Sequence, residues 1–399
     1  MLSRKLALPL ALSLIVVACG DGDAEESPAP PRPTVTSTSS TSSTMPATTT
    51  TVAPLTVQDA PEPLVDLVAD FYAYSSGAAV EAPTMPEAVL AAITPGDHQT
   101  PTSGAASLAT FHEQGVGVVE MGTDLFLVVD DGSGWRIVGG QWPSIAVTAY
   151  FGVGPRHIAV VGSDARPGQD VDRTRADSIH FIGLDGTGGG AVVGLPRDSY
   201  VPVPGFGRKK ITGSLALGGP DTMMAAFTDL TGLPLEGYVL TGFAGFQSLL
   251  SDVLGGVTVD VPMAINDRWA HVALSAGEQL LNGAQALGFA RARKTVPGGD
   301  FKRSEHQGVI LLGAAETVQS MGYRAIPGLM ELSQPHLMTN LTPEQLLTFS
   351  GMAISADLDT VPNVVAPGRS GSAAGASVVF LSDSAAQLWA DLADGRLDG

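Results

Sequence analysis

The chain has 399 residues, with 40 acidic against 21 basic side chains and a formal net charge of −19. That length allows one large domain and a smaller one, each burying its own core. The charge argues against general nucleic-acid binding and against electrostatic adhesion to anionic lipid. The sole cysteine, Cys19, excludes intramolecular disulfides. With no CxxC or HExxH spacing and seven scattered histidines, the sequence offers no zinc site. Yet 14 of the 21 basic residues fall between Arg156 and Arg303, so a local anion site can sit inside an acidic protein.

Arg4 and Lys5 precede an apolar run of 13 residues, Leu6 to Ala18. A bilayer-spanning helix needs about 20 residues, so the run suits the core of a cleaved signal peptide instead. Val16-Val17-Ala18-Cys19 has the form of a bacterial lipobox, with small Ala18 before the cut and a cysteine able to carry lipid. Residues 1–18 are therefore expected to be a lipoprotein signal peptide, with acylated Cys19 holding the protein on the outer face of the cell membrane. From Ser27 to Pro54 the chain is nearly all Ser, Thr, Pro and Ala. Such a segment buries too little apolar surface to order itself, so residues 19–57 are expected to form a tether reaching between about 30 Å and roughly 90 Å.

Residues 58–150 read as a small α+β accessory domain. Leu64, Leu67, Val68 and Phe71 have helical spacing. Leu125–Val129 and Trp135–Val138 flank Asp130-Asp131-Gly132-Ser133-Gly134, a hairpin signal. No catalytic constellation occurs in this region, and core packing explains Trp135 and Trp142 better than a binding face does.

From Pro155 the pattern changes. Ile158–Val161, Ile179–Leu184 and Ala191–Leu195 are strand-like runs, while 243–254, 283–292, 300–320 and 382–397 have helical periodicity. Thr342-Pro343-Glu344-Gln345 is a capping box with proline in the first turn. The alternation predicts a layered α/β domain over 155–399.

Three polar turns adjoin the three early strands: Gly162-Ser163-Asp164-Ala165-Arg166, Arg173-Thr174-Arg175-Ala176-Asp177 and Pro196-Arg197-Asp198. The second precedes its strand whereas the others follow theirs, so an antiparallel Ile179–Leu184 would bring all three together. Asp164 and Asp177 would then suit Mg²⁺ or a similar ion shared with phosphate oxygens, and neighbouring arginines would clamp the phosphate. Further basic groups are Arg208-Lys209-Lys210, Arg291-x-Arg293-Lys294, and Arg303 with Gln307 four residues on. Met223, Met224, Phe227, Phe243, Phe246, Leu249 and Leu250 suit either a lipid groove or ordinary core.

The order GSDAR, RADS, GLPRDSYV, KKIT, LGGVTVDVP, GEQLLNGAQALGFARAR and D-x-x-R-x-x-x-Q resembles the LytR-CpsA-Psr family from about Pro155 to the C-terminus. The resemblance implies an α-β-α domain with a mixed central sheet. It also implies transfer of a glycan phosphate from a polyprenyl-pyrophosphate carrier onto peptidoglycan, with Mg²⁺ at the pyrophosphate. By this resemblance Asp164 and Asp177 hold the metal. Arg197, Arg291, Arg293, Arg303 and Gln307, with Lys210 nearby, grip the pyrophosphate, and Asp198 braces Arg197. Either Asp177 or Asp164 is the base for the acceptor hydroxyl. The family more often has threonine where this chain has Ser178, and many relatives use a transmembrane helix rather than a lipobox. Two other readings use the same site: a polyprenyl-pyrophosphate phosphatase, with water as acceptor, and a non-catalytic envelope protein binding phosphorylated lipid or polymer. The anchor has its own test: Cys19→Ser is expected to move the protein out of the membrane fraction, and continued retention there refutes the lipobox.

Overall fold

The computed structural model describes residues 55–397, so the expected signal peptide, Cys19 and all but the last three residues of the expected tether lie outside the described residues. Sheet structure starts two residues earlier than the sequence suggests, because β1 (Thr56–Gln58) pairs in parallel with β2 (Ser103–Phe111). The strands β3 (Gln114–Met121), β4 (Asp124–Asp130), β5 (Trp135–Trp142) and β6 (Val147–Tyr150) continue the sheet as an antiparallel meander in chain order. Between β1 and β2 lie α1 (Glu62–Ser75) and α2 (Glu87–Ala92).

The apolar stripe of α1, Leu64, Leu67, Val68 and Phe71, packs on one face of this sheet with Phe126, Val128 and Trp142. Leu125, Leu127 and Val129 point the other way, into a second core. Both faces of β4 are thus covered, which is why it reads as an unbroken apolar run. The Asp130–Trp135 hairpin forms as its sequence predicts, with Asp130 Oδ1 accepting from the backbone amides of Gly132 and Gly134. Trp142 is wholly buried, and Trp135 packs at the edge of the same core.

A second six-stranded sheet is built from β7 (Arg156–Ser163), β8 (Ala176–Leu184), β9 (Gly190–Gly194), β12 (Leu235–Thr241), β17 (Met338–Thr339) and β18 (Asn363–Val365), in the order β17-β12-β7-β8-β9-β18. It is mixed: β7 runs parallel to β12 and antiparallel to β8, and β9 runs parallel to β18. The ribbon β10 (Tyr200–Val203) and β11 (Gly207–Lys210) leads into α3 (Gly213–Thr231), which is interrupted at Gly219. Phe181 of β8 meets Phe227 of α3 and Trp389 of α9 (Asp383–Leu392) edge to face, closing one side.

The other side carries α4 (Phe243–Ser248), α5 (Gly283–Arg291), α6 (Gly299–Met321), α7 (Ile326–Ser333) and α8 (Pro343–Ile354). Thr342 and Gln345 form the expected reciprocal cap on α8. The helix expected over 243–254 is α-helical only to Ser248, and its next turn winds as a π-helix over Leu249–Val253. Two short ribbons escaped the sequence reading as strands: β13 (Val257–Val261) with β16 (Gly277–Leu281), and β14 (Ile265–Asp267) with β15 (Val272–Leu274). Their alternating apolar residues cover α5 and α6. A last hairpin joins β19 (Gly368–Ala373) and β20 (Ala376–Leu381).

The two large sheets share a core, in which Phe111, Val118 and Leu127 pack with Ile158, Met330, Leu347 and Met352. Beside it the buried Arg156 guanidinium donates to Glu236 at 2.7 and 2.6 Å, to Thr348 Oγ1 and to two backbone carbonyls, tying β7, β12 and α8 together. No described helix is long and apolar enough to cross a membrane.

Two histidines are fully buried at α6, one on the facing strand and one on the helix itself. His180 reaches from β8 to the Ser304 carbonyl, and His306 stacks on Phe289. Burial pushes both rings down to about 4. An unfolded histidine titrates near 6.5, so the unfolded chain takes up protons first and stability falls as pH drops from about 6.5 toward 4. The expected loss is about 3 kcal/mol per ring. It should appear as a melting temperature that declines across that window, and His306→Phe should remove its share. A flat profile would contradict the burial of neutral rings.

Candidate active site

The antiparallel pairing of β7 with β8 sets Gly162 opposite Ser178 and brings the three polar turns to one end of the sheet. The Asp164 amide donates to the Arg175 carbonyl at 2.9 Å. The Ala176 amide donates to Thr212, whose own amide donates to the Arg197 carbonyl, each at 3.0 Å. Backbone bonds thus run between all three turns, before any side-chain pairing is counted.

Asp177 Oδ2 accepts from Arg197 Nη1 at 2.5 Å, and Arg197 Nε lies 4.0 Å from Asp300 Oδ1. Asp300 in turn pairs with Arg303, one helical turn along α6. The result is an alternating ladder of carboxylate, guanidinium, carboxylate and guanidinium, with Arg303 only 6% exposed. Burial pushes the Arg303 guanidinium below its ordinary value while Asp300 pulls it back; arginine stays charged throughout. Three buried atoms of the ladder have no hydrogen-bond partner: Asp177 Oδ1, Arg197 Nε and Asp300 Oδ2.

Asn282 caps α5 reciprocally with Gln285, and Arg291 ends that helix with its guanidinium 4.8 Å from the Phe243 ring. The chain then turns under Asp267. Its Oδ2 accepts from the amides of Arg293 and Lys294 at 3.2 and 3.0 Å, and its Oδ1 from those of Trp269 and Ala270. Burial raises the Asp267 carboxyl, but these four amides outweigh it and hold the group below the usual carboxylate range. Gly298 and Gly299 follow with φ of +97° and +59°, a reversal suited to glycine, and deliver the chain to α6. Gln307, expected at the phosphate, donates to the Ala290 carbonyl and so ties α6 to α5.

These elements enclose a cavity of about 340 Å³. Arg197, Arg291, Arg293, Lys294 and Arg303 line it with only Asp177 and Asp267 as acidic counterparts, inside a chain of net charge −19. Much of the remaining lining is apolar, with Phe243, Phe246, Leu287, Ile310 and Leu311. Of the seven residues considered for a lipid groove, Phe243 and Phe246 face this cavity. Met223, Phe227 and Leu250 are buried in the hydrophobic cores, with Met224 packed against one of them.

Other expected residues lie outside the lining. Asp164 Oδ2 takes both Nε and Nη2 of Arg175, at 2.9 and 2.6 Å, and its Oδ1 takes the Arg175 amide at 3.0 Å. That bidentate pairing raises the Arg175 guanidinium's pKa. Asp198 does not brace Arg197; it pairs with Lys210 at 2.9 Å beside the β10–β11 ribbon, and the bracing falls to Asp177 and Asp300. Arg175, one of the arginines expected to clamp phosphate beside the aspartates, is thus held by Asp164 and lies outside the lining, while Asp267 and Asp300 have no role assigned from sequence. Asp300 had a signal, since opposite charges three apart on one helix meet. Asp267 had none for its hold on Arg293 and Lys294, whose amides lie 26 and 27 residues along the chain.

Among the described residues no three His, Cys, Asp or Glu side chains converge as a protein-only metal cage. The unpartnered Asp177 Oδ1 in the cavity wall fits a hard cation that takes its remaining ligands from phosphate and water. Asp164 would have to release Arg175 to join it.

Removing one member of a buried charge ladder leaves its neighbours uncompensated. Asp300→Asn is expected to lower the unfolding free energy by about 3 kcal/mol in denaturant titrations. Asp198→Asn, which opens a more exposed pair, should change it by less than about 1 kcal/mol. Equal effects would show that the ladder carries no special burden.

The LytR_cpsA_psr family model matches residues 140–393. "Probable cell wall biosynthesis protein LcpB" of Corynebacterium glutamicum is 33% identical over 175 residues, 41% of this chain and 42% of that protein. "Polyisoprenyl-teichoic acid–peptidoglycan teichoic acid transferase TagU" of Bacillus anthracis is 30% identical over 197 residues, 48% of this chain and 62% of that one. The chain thus spans about half the length of these curated relatives. Among solved structures, B. subtilis TagV superposes with a TM-score of 0.51 at 22% identity, covering 59% of this chain and 95% of TagV, a likeness of fold. The family pattern begins inside β5, covers every element that builds the cavity, and runs into α9: the chain belongs to the LytR_cpsA_psr family.

Proposed function

We propose that the protein transfers a glycopolymer, with its phosphate, from a polyprenyl-pyrophosphate carrier to a hydroxyl of peptidoglycan during cell-wall assembly. The observation that carries this reading is the cavity itself, whose lining joins five cations to an apolar surface. A pyrophosphate joined to an isoprenoid has that same combination. The guanidiniums of Arg197, Arg291, Arg293 and Arg303 hold the two phosphates, while Phe243, Phe246, Leu287 and Ile310 receive the first isoprene units. TagU, with which this chain shares 30% identity, is named for transfer of this kind.

Breaking the phosphoanhydride builds negative charge on the lipid phosphate that departs, and fixed guanidiniums stabilise it without reorganising. The acceptor oxygen forms the new bond to phosphorus and its proton must leave. Asp177 lines the cavity and its buried Oδ1 has no partner, whereas both Asp164 oxygens are engaged, so Asp177 is the better placed acceptor of that proton. Mg²⁺ on the phosphates would supply charge neutralisation there; Asp177 Oδ1 would serve as its ligand or as the proton acceptor, not as both at once. Export through the 1–18 signal and lipid attachment at Cys19 would set this site at the outer face of the cell membrane.

The test incubates purified protein with Mg²⁺, a polyprenyl-pyrophosphate glycan and peptidoglycan oligomers. Wild type is expected to form the phosphodiester-linked product, and Arg197→Ala to lose at least about 100-fold in rate. Release of glycan phosphate into water with no linkage would identify a phosphatase. Donor binding with neither reaction would identify a binder.

A further inference from the structure

His180 is fully buried in β8, two residues beyond Ser178, which lines the cavity. Its Nε2 lies 3.0 Å from the main-chain carbonyl of Ser304 on α6. A carbonyl only accepts, so Nε2 carries the ring hydrogen. The ring is neutral, because burial disfavours its cation, and Nδ1 is left as a bare acceptor. The group within reach of Nδ1 is the Ser178 hydroxyl at 3.3 Å, which must therefore be the donor. Ser178 lines the cavity directly after Asp177.

The strands on either side leave room for this column. Gly162 of β7 is the register partner of Ser178, and Gly194 of β9 that of His180. A Cβ at Gly162 would come within 3.1 Å of the Ser178 Cβ, and one at Gly194 within 3.1 Å of His180 Nε2. Either would crowd the Ser178–His180–Ser304 line.

With its only hydrogen committed backwards, Ser178 Oγ offers the cavity lone pairs and nothing else. It cannot donate to a phosphate oxygen, so it is no part of the anion clamp. It can accept from a hydroxyl. We propose that Ser178 Oγ, held by His180 and the Ser304 carbonyl, is the docking point for the incoming acceptor hydroxyl, with His180 as its positioning residue. This rests on the transferase reading above. The docked hydroxyl oxygen forms the new O–P bond and the anhydride O–P bond breaks, its electron pair staying on the lipid phosphate. The hydroxyl proton passes to Asp177 Oδ1. Ser178 binds and aims, and keeps its own proton.

The experiment uses the full chain and compares wild type with Ser178→Ala, Ser178→Thr and His180→Phe. It measures KM for peptidoglycan oligomers, Kd for the polyprenyl-pyrophosphate glycan, and the ratio of transfer to hydrolysis. Ser178→Ala and His180→Phe are expected to raise the acceptor KM about five- to tenfold and to shift the ratio toward hydrolysis. Both should leave donor Kd unchanged, which also shows that they are folded. Ser178→Thr, which keeps the hydroxyl, should behave as wild type. If wild type transfers and Ser178→Ala keeps its acceptor KM, or loses donor affinity instead, this assignment fails alone. If wild type transfers nothing, the transferase reading fails and takes the assignment with it.

Discussion

Guanidiniums brought into one half-enclosed cavity repel, and nothing else about this site can be arranged until that repulsion is contained. Two like charges about 5 Å apart at an effective dielectric constant near 20 cost about 3 kcal/mol. The chain contains it by interleaving. Asp177 and Asp300 stand on either side of Arg197, and Asp300 also meets Arg303. Neutralisation is incomplete, since five cations line the cavity against two acids, and one of these, Asp267, spends its oxygens on backbone amides. The remaining positive field is what an anion would meet, already oriented.

That field needs a rigid frame, because arginines on mobile loops would relax away from one another. β7, β8, α5 and α6 supply it. The strand pair fixes the turns carrying Asp177 and Arg197 through backbone hydrogen bonds. Asp267 fixes the turn carrying Arg293 and Lys294, and the Gln307–Ala290 bond locks α6 beside α5. The frame in turn leans on the shared core beneath it, where Arg156 is held by Glu236 and Thr348. Structural and functional arginines are told apart by their partners. Arg156 has every direction filled, and Arg197 has a bare Nε.

Local pattern made much of this legible from sequence. The helical stripe of α1, the hairpin at Asp130, the cap at Thr342 and the three early strands are each decided by neighbours a few residues apart. The antiparallel β8 followed from a geometric demand, that polar turns on opposite ends of their strands should meet. What escaped was non-local. The β13–β16 and β14–β15 ribbons alternate over only three to five residues, too short for periodicity to speak. The resemblance sets Asp198 to brace Arg197, but in the turn closed by the Ser199 amide and the Pro196 carbonyl Asp198 reaches Lys210 instead. Asp267 holds the Trp269 and Ala270 amides locally, but its other partners are backbone amides 26 and 27 residues away, and that link has no local signal.

Buried polar atoms are nearly always satisfied, so the exceptions locate what a fold is not doing for its own stability. Asp177 Oδ1, Arg197 Nε and Asp300 Oδ2 are such exceptions and belong to one connected ladder. A chain selected for stability alone could satisfy them with one well-placed amide or hydroxyl, and the cavity wall has Ser178 close by. Yet the Ser178 hydrogen is turned away, to His180. The site thus keeps an unpartnered carboxylate oxygen beside a hydroxyl and an incompletely paired guanidinium. Under the proposed transfer, a bound phosphate would occupy the guanidiniums and an acceptor hydroxyl would meet the lone pairs in the same cavity.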